Sequence, residues 1–552
     1  MSKNNNRSLI DQVLDIINTL IEAAGYMYEC ALVRKSSQIE ATASDMVNML
    51  QILYPVACQI KGQIPYISAP NSCENLLYCV NTILRYVRTR SERINSKIEF
   101  ELIPILQDFY YDFYFFTCVF GSKRMEKKHY EEEFNRMIGN HYIDQSMKTG
   151  EYKYDVSISV LAYNKIEYTK QCVESIIKFT PSYVNYELIL INNGSEDGTA
   201  EYFESLSPTK IFSLRKNSLN IMTGAISRIY EGRYLLAISN DVIVTENYLE
   251  NLMECIDSDP QIAMVVPTTP NISNLQAIPA QYSNLEEMHA FAKANNVSNP
   301  MKWEERTRLC NPLTFCRSDV FFSSTGVGAI DKYFVYGEFG DDALALRLRR
   351  AGCKMILAKD CYCYHFGSVT LGEAQVKEST LEKSRQLFLD RYGVDAWGTG
   401  FCFDMSLIEA LNIKSKGLVN VLGINSGFGS NPLKIKTMHK EAGNQEVILY
   451  YLTDDERYVP DMKVYGDYVE CVDDVIADVF GHTSFDYILL EENAESTLEM
   501  PDSLGKLKRK LNSGGTLAIC VKSDNEIKML NNSSADRIVQ GYNCHWYLWM
   551  IK

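Results

Sequence analysis

Apolar residues return every three or four positions along the first part of the chain: Ile10, Val13, Ile16, Ile17, Leu20 and Ile21, then Met46, Met49, Leu50 and Leu53. That period puts them on one stripe of a 3.6-residue helix, so residues 7 to about 145 read as helical. The most apolar run extends from Phe109 to Phe120 and carries Asp112. It is well short of the roughly 20 residues that span a bilayer, which predicts a buried helix or strand and no transmembrane segment. The stretch from Glu126 to Glu133 mixes both charge signs, as a solvated helix face does.

At Tyr154 the pattern changes to short β-branched runs separated by helical stretches. Val156 to Leu161, Glu187 to Ile191 and Tyr234 to Ile238 read as strands. Strands alternating with helices predict βαβ units and a mainly parallel sheet, whose ligands bind outside the carboxyl ends of the strands. Those ends carry Tyr163-Asn164, Asn192-Asn193-Gly194-Ser195 and Ser239-Asn240-Asp241. Further on, Asp341-Asp342 opens an amphipathic helix with Leu344, Leu348 and Ala351 on related faces, three arginines late and Gly352 as its stop. Residues 270 to 310 read as a polar, irregular insertion around Trp303, Glu304, Glu305 and Arg306. After about residue 400 strands and helices alternate again: Leu418 to Ile424 runs into a glycine turn, followed by Val447 to Tyr451, Phe485 to Leu490 and Gly514 to Cys520.

Length and composition narrow the classes. A chain of 552 residues is too long for one ordinary core, and 46% hydrophobic with 23% charged residues is globular composition. The formal charge of −15 argues against a broad nucleic-acid or anionic-membrane surface, and no nucleic-acid partner is expected. The first 20 residues lack the charged segment and unbroken apolar core of a secretion signal. The 16 cysteines form no Cys-x-x-Cys units and need no disulfide framework, which fits free thiols in a cytoplasmic protein. Cys361 and Cys363 alternate ahead of His365 as on one face of a strand, and zinc there is the disfavoured reading.

Taken in order, the segments 156 to 164, 191 to 199, 239 to 242 and 340 to 352, with His365, resemble the inverting family 2 GT-A glycosyltransferases. The resemblance covers about 220 residues, and its weight lies in five elements in sequence. It implies that Tyr163, Asn164, Asn192, Asn193 and Asn240 border the nucleotide of a diphosphate-sugar donor, most simply a UDP-sugar. Amides offer both donors and acceptors to a base edge, while an ordinary Asx turn after the strand is the alternative for the Asn-Gly turn. It implies that Asp241, at the end of the family's Asp-x-Asp position, and His365 hold a divalent cation, Mn²⁺ or Mg²⁺. Ser239 stands where the first acid is usual. It implies a general base at Asp341, with Asp342 beside it, although Gly340 replaces the family's preceding Glu. Gly326, in Ser324 to Asp331, matches the glycine-bearing loop on the acceptor side.

The C-terminal turn Asn425-Ser426-Gly427-Phe428-Gly429 resembles the glycine loop of S-adenosylmethionine methyltransferases, but an acid usual there is Asn425. The reading favours a fold that has lost this cofactor and serves acceptor or partner binding over active methylation. The expected architecture is therefore α/β in three parts: a helical domain at 1–152, a GT-A core at 153–400 and a Rossmann-like, methyltransferase-type domain at 416–552. This layout is similar to bacterial flagellin-modifying transferases, which implies a Ser or Thr acceptor on a flagellin-like protein and a sugar such as N-acetylglucosamine. A soluble hexosyl or rhamnosyl transferase acting on a glycan, and a scaffold with degenerate motifs, are the alternatives.

Overall fold

The computed structural model of the chain describes residues 3–129, 152–218, 224–321, 331–336, 338–367, 379–413, 417–499, 502–522 and 535–551. They fall into two compact units. One comprises residues 1–249, 312–340 and 363–367; the other comprises 250–311, 341–362 and 368–552. Both units therefore take residues from the 153–400 span.

In the first unit, helices Lys3–Leu32, Ser36–Gln63, Ala69–Thr89 and Ile103–Tyr114 occupy the leader. Val13, Ile17, Leu20, Ala24 and Met27 are buried on the first, and Ile39, Ala43, Met46, Leu50, Leu53, Ala57 and Ile60 on the second. The alternating spacing of four and three produces one narrow apolar stripe per helix, so Ile16, Ile21 and Met49 fall at its margin, half-buried. The aromatic run forms the end of the fourth helix and a π-helical turn, Phe115–Val119, with Phe109, Phe113, Phe115 and Phe116 buried. Among the described residues no helix is long and apolar enough to cross a membrane.

The helical leader is pinned to the sheet by buried polar groups. Asn75 Oδ1 accepts from the backbone amides of Arg215 and Lys216 at 2.7 and 2.9 Å, and Glu101 accepts from Ser213 N at 3.0 Å. The sheet holds strands Lys210–Leu214, Tyr186–Asn193, Tyr154–Ala162 and Gly232–Ser239 in parallel and in that spatial order, then Leu313–Arg317 antiparallel. Because the second and third strands lie on one side of the first and the fourth on the other, the connections part at the first strand. Sheets of this kind place their ligands at the carboxyl ends beside such a switch point. In register, Ala162 faces Asn192, and Leu161 faces Ser239.

In the second unit, Lys354–Tyr362 pairs in parallel with Ile262–Thr268 and antiparallel with Trp303–Arg306. The expectation of an irregular insertion at 270 to 310 is corrected here. The segment contains the helix Leu285–Asn295, capped by the Asn284 side chain accepting from Glu287 N, and a strand whose Trp303, Glu304 and Arg306 are buried. A Trp-Glu-Glu-Arg string reads as polar surface. It lies inside because Glu304 meets Arg306 at 2.8 Å, Lys434 at 2.9 Å and Lys359 at 3.2 Å.

The C-terminal sheet runs Tyr468–Cys471, Val447–Thr453, Val419–Ile424, Phe485–Leu490, Leu511–Val521, Cys544–Met550 and Arg537–Gly541. The first five are parallel, and Cys544–Met550 lies antiparallel to both its neighbours. One face is a core of Leu422, Ile424, Phe485, Ile488, Leu517 and Trp549 among others.

Candidate functional site

The strand tips of the first unit are built from their own side chains. Asn164 adopts a left-handed conformation, φ 55°, which asparagine tolerates better than most residues. Its backbone N–H donates to Ser195 Oγ at 2.9 Å, its Oδ1 accepts from Glu196 N at 2.9 Å, and its carbonyl accepts from Asn240 Nδ2 at 3.0 Å. Asn240 Nδ2 also reaches Thr169 Oγ1 at 2.8 Å. Asn192 Oδ1 accepts from Ser195 N at 2.9 Å, an Asx turn, while Asn193 uses its carbonyl on Ser218 N and its amide on Asn217 Oδ1. Gly194 makes the turn possible: at φ 83° it places a notional Cβ 2.6 Å from Asn217 N, where no side chain fits. These four asparagines thus lock the ends of four strands together. Tyr163 extends from the same edge with 40% of its surface exposed.

Asp241 follows directly. His365 is far away in sequence, but the short strand Tyr364–His365 pairs antiparallel with Val242–Ile243, His365 opposite Val242, and Phe366 N donates to Asp241 O at 3.0 Å. This bridge brings His365 Nε2 to 3.4 Å from Asp241 Oδ2, with the two side chains 8% and 20% exposed. A carboxylate oxygen and an imidazole nitrogen so placed fit a divalent cation that keeps water and phosphate oxygens for its other positions. Among the described residues no group of three or more His, Cys, Asp or Glu side chains could hold a metal without such help. Cys361 and Cys363 are buried free thiols.

In the second unit, the helix Gly340–Arg350 begins with the paired carboxylates. Asp342 is buried against Arg308, whose Nε lies 2.5 Å from Asp342 Oδ1. Asp341 is exposed at the surface, and its Oδ1 lies 3.5 Å from Asn311 Nδ2. The mass of protein around the Asp341 carboxyl and repulsion from Asp342 push its pKa up to about 6, against the pull of Arg308 and Asn311. Because Asp341 also presents area to water, solvent screens part of the desolvation, and the neighbouring carboxylate is the firmer cause of the direction. The pair is therefore asymmetric, one acid clamped and one open. Arg308 and Asn311 had no signal in the sequence, since both sit in a connecting loop without periodicity. Gly326 lies outside the described residues.

The C-terminal glycine turn, which the sequence aligned with a cofactor loop, holds the chain's own backbone. Phe428 N donates to Thr399 O at 3.0 Å and Ser430 N to Gly400 O at 3.3 Å. A Cβ on Gly400 would stand 2.1 Å from Ser426 O. Asp454, beyond the second strand of that sheet, is engaged by Asn425 Nδ2 at 3.2 Å and by Asn493.

Comparison with known proteins bears on the first unit most directly. Residues 157–322 match the model of Glycosyl transferase family 2. The chain is 34% identical over 116 residues to an uncharacterized glycosyltransferase of Haemophilus influenzae, covering 19% of this chain and 34% of that one. It is 28% identical over 122 residues to the minor teichoic acid biosynthesis protein GgaB of Bacillus subtilis, covering 20% of this chain and 13% of that one. The chain thus matches 34% and 13% of the length of these curated relatives. A solved structure, GalNAc-T7 with UDP, GalNAc and Mn²⁺, aligns at 16% identity and a TM-score of 0.32 over 49% of this chain and 57% of its own. Asp241 and the asparagine-locked strand tips lie inside residues 157–322, the part of this longer chain that is similar to Glycosyl transferase family 2.

Proposed function

We propose that this chain is an inverting glycosyltransferase of the GT-A type, moving a sugar from a nucleotide-diphosphate donor, a UDP-sugar, to an acceptor hydroxyl. The observation that carries the reading is the meeting of Asp241, inside the family 2 segment, with His365 at one strand edge. Asp241 and His365 would hold Mn²⁺ or Mg²⁺, which when bound neutralises charge on the departing diphosphate. Tyr163 offers an exposed ring to the base, and the asparagine clasp keeps the strand tips that border it in place. Asp341 is the general base: its pKa of about 6 leaves it mostly ionised at neutral pH yet basic enough to accept a proton. The acceptor oxygen bonds to the anomeric carbon on the face opposite the diphosphate. Its proton passes to the Asp341 carboxylate as the bond from that carbon to the diphosphate oxygen breaks. The diphosphate keeps the electron pair, and the configuration inverts.

For the acceptor we propose Ser or Thr of a flagellin-like protein, with N-acetylglucosamine as the sugar, on the strength of the helical leader, family 2 segment and strand–helix tail. The similarity to a teichoic acid biosynthesis protein favours a second acceptor, a hydroxyl on a surface polymer. Intact-mass measurement of co-expressed acceptor proteins decides between them, since a protein acceptor gains one sugar mass and a polymer leaves the proteins unchanged. The activity itself is tested with a thermal-shift panel of nucleoside diphosphates with and without Mn²⁺, and with Asp341→Asn. The substitution is expected to keep the UDP-dependent shift and lose transfer by about 100-fold or more. No shift with any nucleotide would return the chain to a scaffold role, and full activity in Asp341→Asn would remove the base assignment.

A further inference from the structure

Within the second unit, the glycine turn that holds Thr399 and Gly400 is also the surface to which the end of the Asp341 helix is fixed. Arg349, in the last turn of that helix and 3% exposed, carries the connection. Its Nε donates to Asp461 Oδ1 at 2.8 Å, its guanidinium carbon lies 4.7 Å from the centre of the Phe428 ring, and its Nη1 donates to the Thr307 carbonyl. Arg350 adds a second contact to Asp461, at 3.3 Å. Phe428 is itself held edge-on by Tyr458 at 5.1 Å. The Thr307 hydroxyl meets the Ser430 hydroxyl at the head of the next helix, and Tyr465 donates to Arg306 O at 2.6 Å. Thr307 is followed by Arg308, the partner of Asp342. The helix is thus fastened at both ends by one set of C-terminal residues: directly at Arg349, and at the carboxylate end through Thr307 and Arg308.

We propose that the C-terminal sheet and its glycine turn act as a mount for the general base, with Asp461 and Arg349 as positioning residues that hold the Asp341 helix at its catalytic angle. This rests on the reading of Asp341 as the base. The physical reason is leverage: an α-helix rises about 1.5 Å per residue, so Asp341 stands roughly 12 Å along the axis from Arg349, and a small tilt at one end displaces the other. A misplacement of about 1 Å in a reacting group can cost roughly 100-fold in rate. A buried guanidinium held by a carboxylate, an aromatic face and a backbone carbonyl resists that tilt better than apolar packing, because each contact is directional. It also gives the glycine turn a use that needs no cofactor. The amides that would face a nucleotide are spent on residues 399–400, and the ring between them supports Arg349.

The experiment compares the full-length chain with Asp461→Asn, Asp461→Glu, Phe428→Leu and Tyr487→Phe. It reads the kcat and KM of UDP release from UDP-N-acetylglucosamine and other UDP-sugars with Mn²⁺, the Tm, and amide hydrogen exchange over residues 340–350. Asp461→Asn and Phe428→Leu are expected to lower kcat by about 10- to 100-fold with donor KM within about twofold. They should also speed exchange in the helix, with Asp461→Glu recovering most of the rate. Tyr487→Phe, which removes from a strand of the same sheet a half-buried hydroxyl that donates to the Asn412 carbonyl, is expected to lower Tm without changing kcat. A folded Asp461→Asn with wild-type kcat and unchanged exchange would overturn the mount. Should that variant fail to fold, the same result in Phe428→Leu does so. A wild-type chain that releases no nucleotide from any donor would instead count against the glycosyltransferase reading, and exchange over 340–350 still judges the mount. Calorimetric heat from S-adenosylmethionine would also overturn it, since that ligand needs the turn now filled by residues 399–400.

Discussion

Replacing Arg308 with methionine removes the cation that faces both carboxylates at the head of the Asp341 helix while keeping most of the side-chain volume. Asp342 is 7% exposed and has its charge met by Arg308, whose own side chain is 17% exposed. Taking one partner from a buried ion pair costs about 3–5 kcal/mol, and the partial exposure of Arg308 places this pair at the lower end, about 3 kcal/mol. At about 2 °C per kcal/mol for a large folded unit, Tm at pH 7 falls by about 6 °C. The loss depends on pH, and its sign can be worked out. Burial already raises the Asp342 pKa above 3.8, and Arg308 opposes the rise. Without Arg308 the folded pKa climbs further above the unfolded value, so the folded state takes up a proton on acidification before the unfolded state does. The destabilisation is therefore full at neutral pH and shrinks as pH falls through the raised pKa toward 4.

The same substitution removes one of the two influences that lower Asp341, so the acid limb of kcat/KM moves to higher pH from about 6, and the rate at pH 6 falls more than the rate at pH 8. Differential scanning fluorimetry across pH 4 to 8 and UDP release over the same range measure both effects. A stability loss that does not vary with pH, together with an unmoved acid limb, would refute the assignment of Arg308 as the partner of this carboxylate pair.

Two further outcomes follow from the same physics. Asp241→Ala is expected to leave the unliganded Tm nearly unchanged, because the side chain sits at a strand edge, and to abolish the Mn²⁺-dependent part of the UDP shift. At a ligand concentration of about 100 Kd that part is worth about 2.7 kcal/mol, and a retained shift would exclude Asp241 as a cation ligand. Glu304 makes the second case. Burial would raise its pKa, but Arg306, Lys434 and Lys359 outweigh burial and hold it down to about 2. Its stabilising contribution, about 3 kcal/mol for a shift of this size, is present above about 4.5 and is lost as pH falls toward 2. Burial and the neighbouring cations, which share one carboxylate with it, lower the Lys434 pKa as well, so both partners move down without contradiction. In Glu304→Gln the Tm gap to wild type should be widest at pH 7 and close on acidification; a constant gap would reject the reading.

Much of the molecule is legible in the chain alone, because its determinants are local. The spacing of Val13, Ile17 and Leu20 fixes a helix face, and the β-branched runs at 156, 187, 234, 447 and 485 fix strands, since each pattern repeats the period of the structure it forms. The sequence also located Asp241, Asp341 and the asparagine turns at strand and helix ends, where backbone geometry favours exactly such residue types at each break in the pattern. What the sequence could not give is which distant groups meet. Only the pairing of Tyr364–His365 with Val242–Ile243 brings His365 beside Asp241, and only the loop at 307 to 311 separates Asp342, clamped by Arg308, from the open Asp341. The string at 303 to 306 is read as polar surface because its charges are visible and its partners are not: Lys359 and Lys434 arrive from elsewhere in the chain and make burial affordable. Secondary structure follows from periodicity along the chain, whereas charge compensation and the mounting of the Asp341 helix follow from contacts between residues far apart in it, which periodicity does not encode.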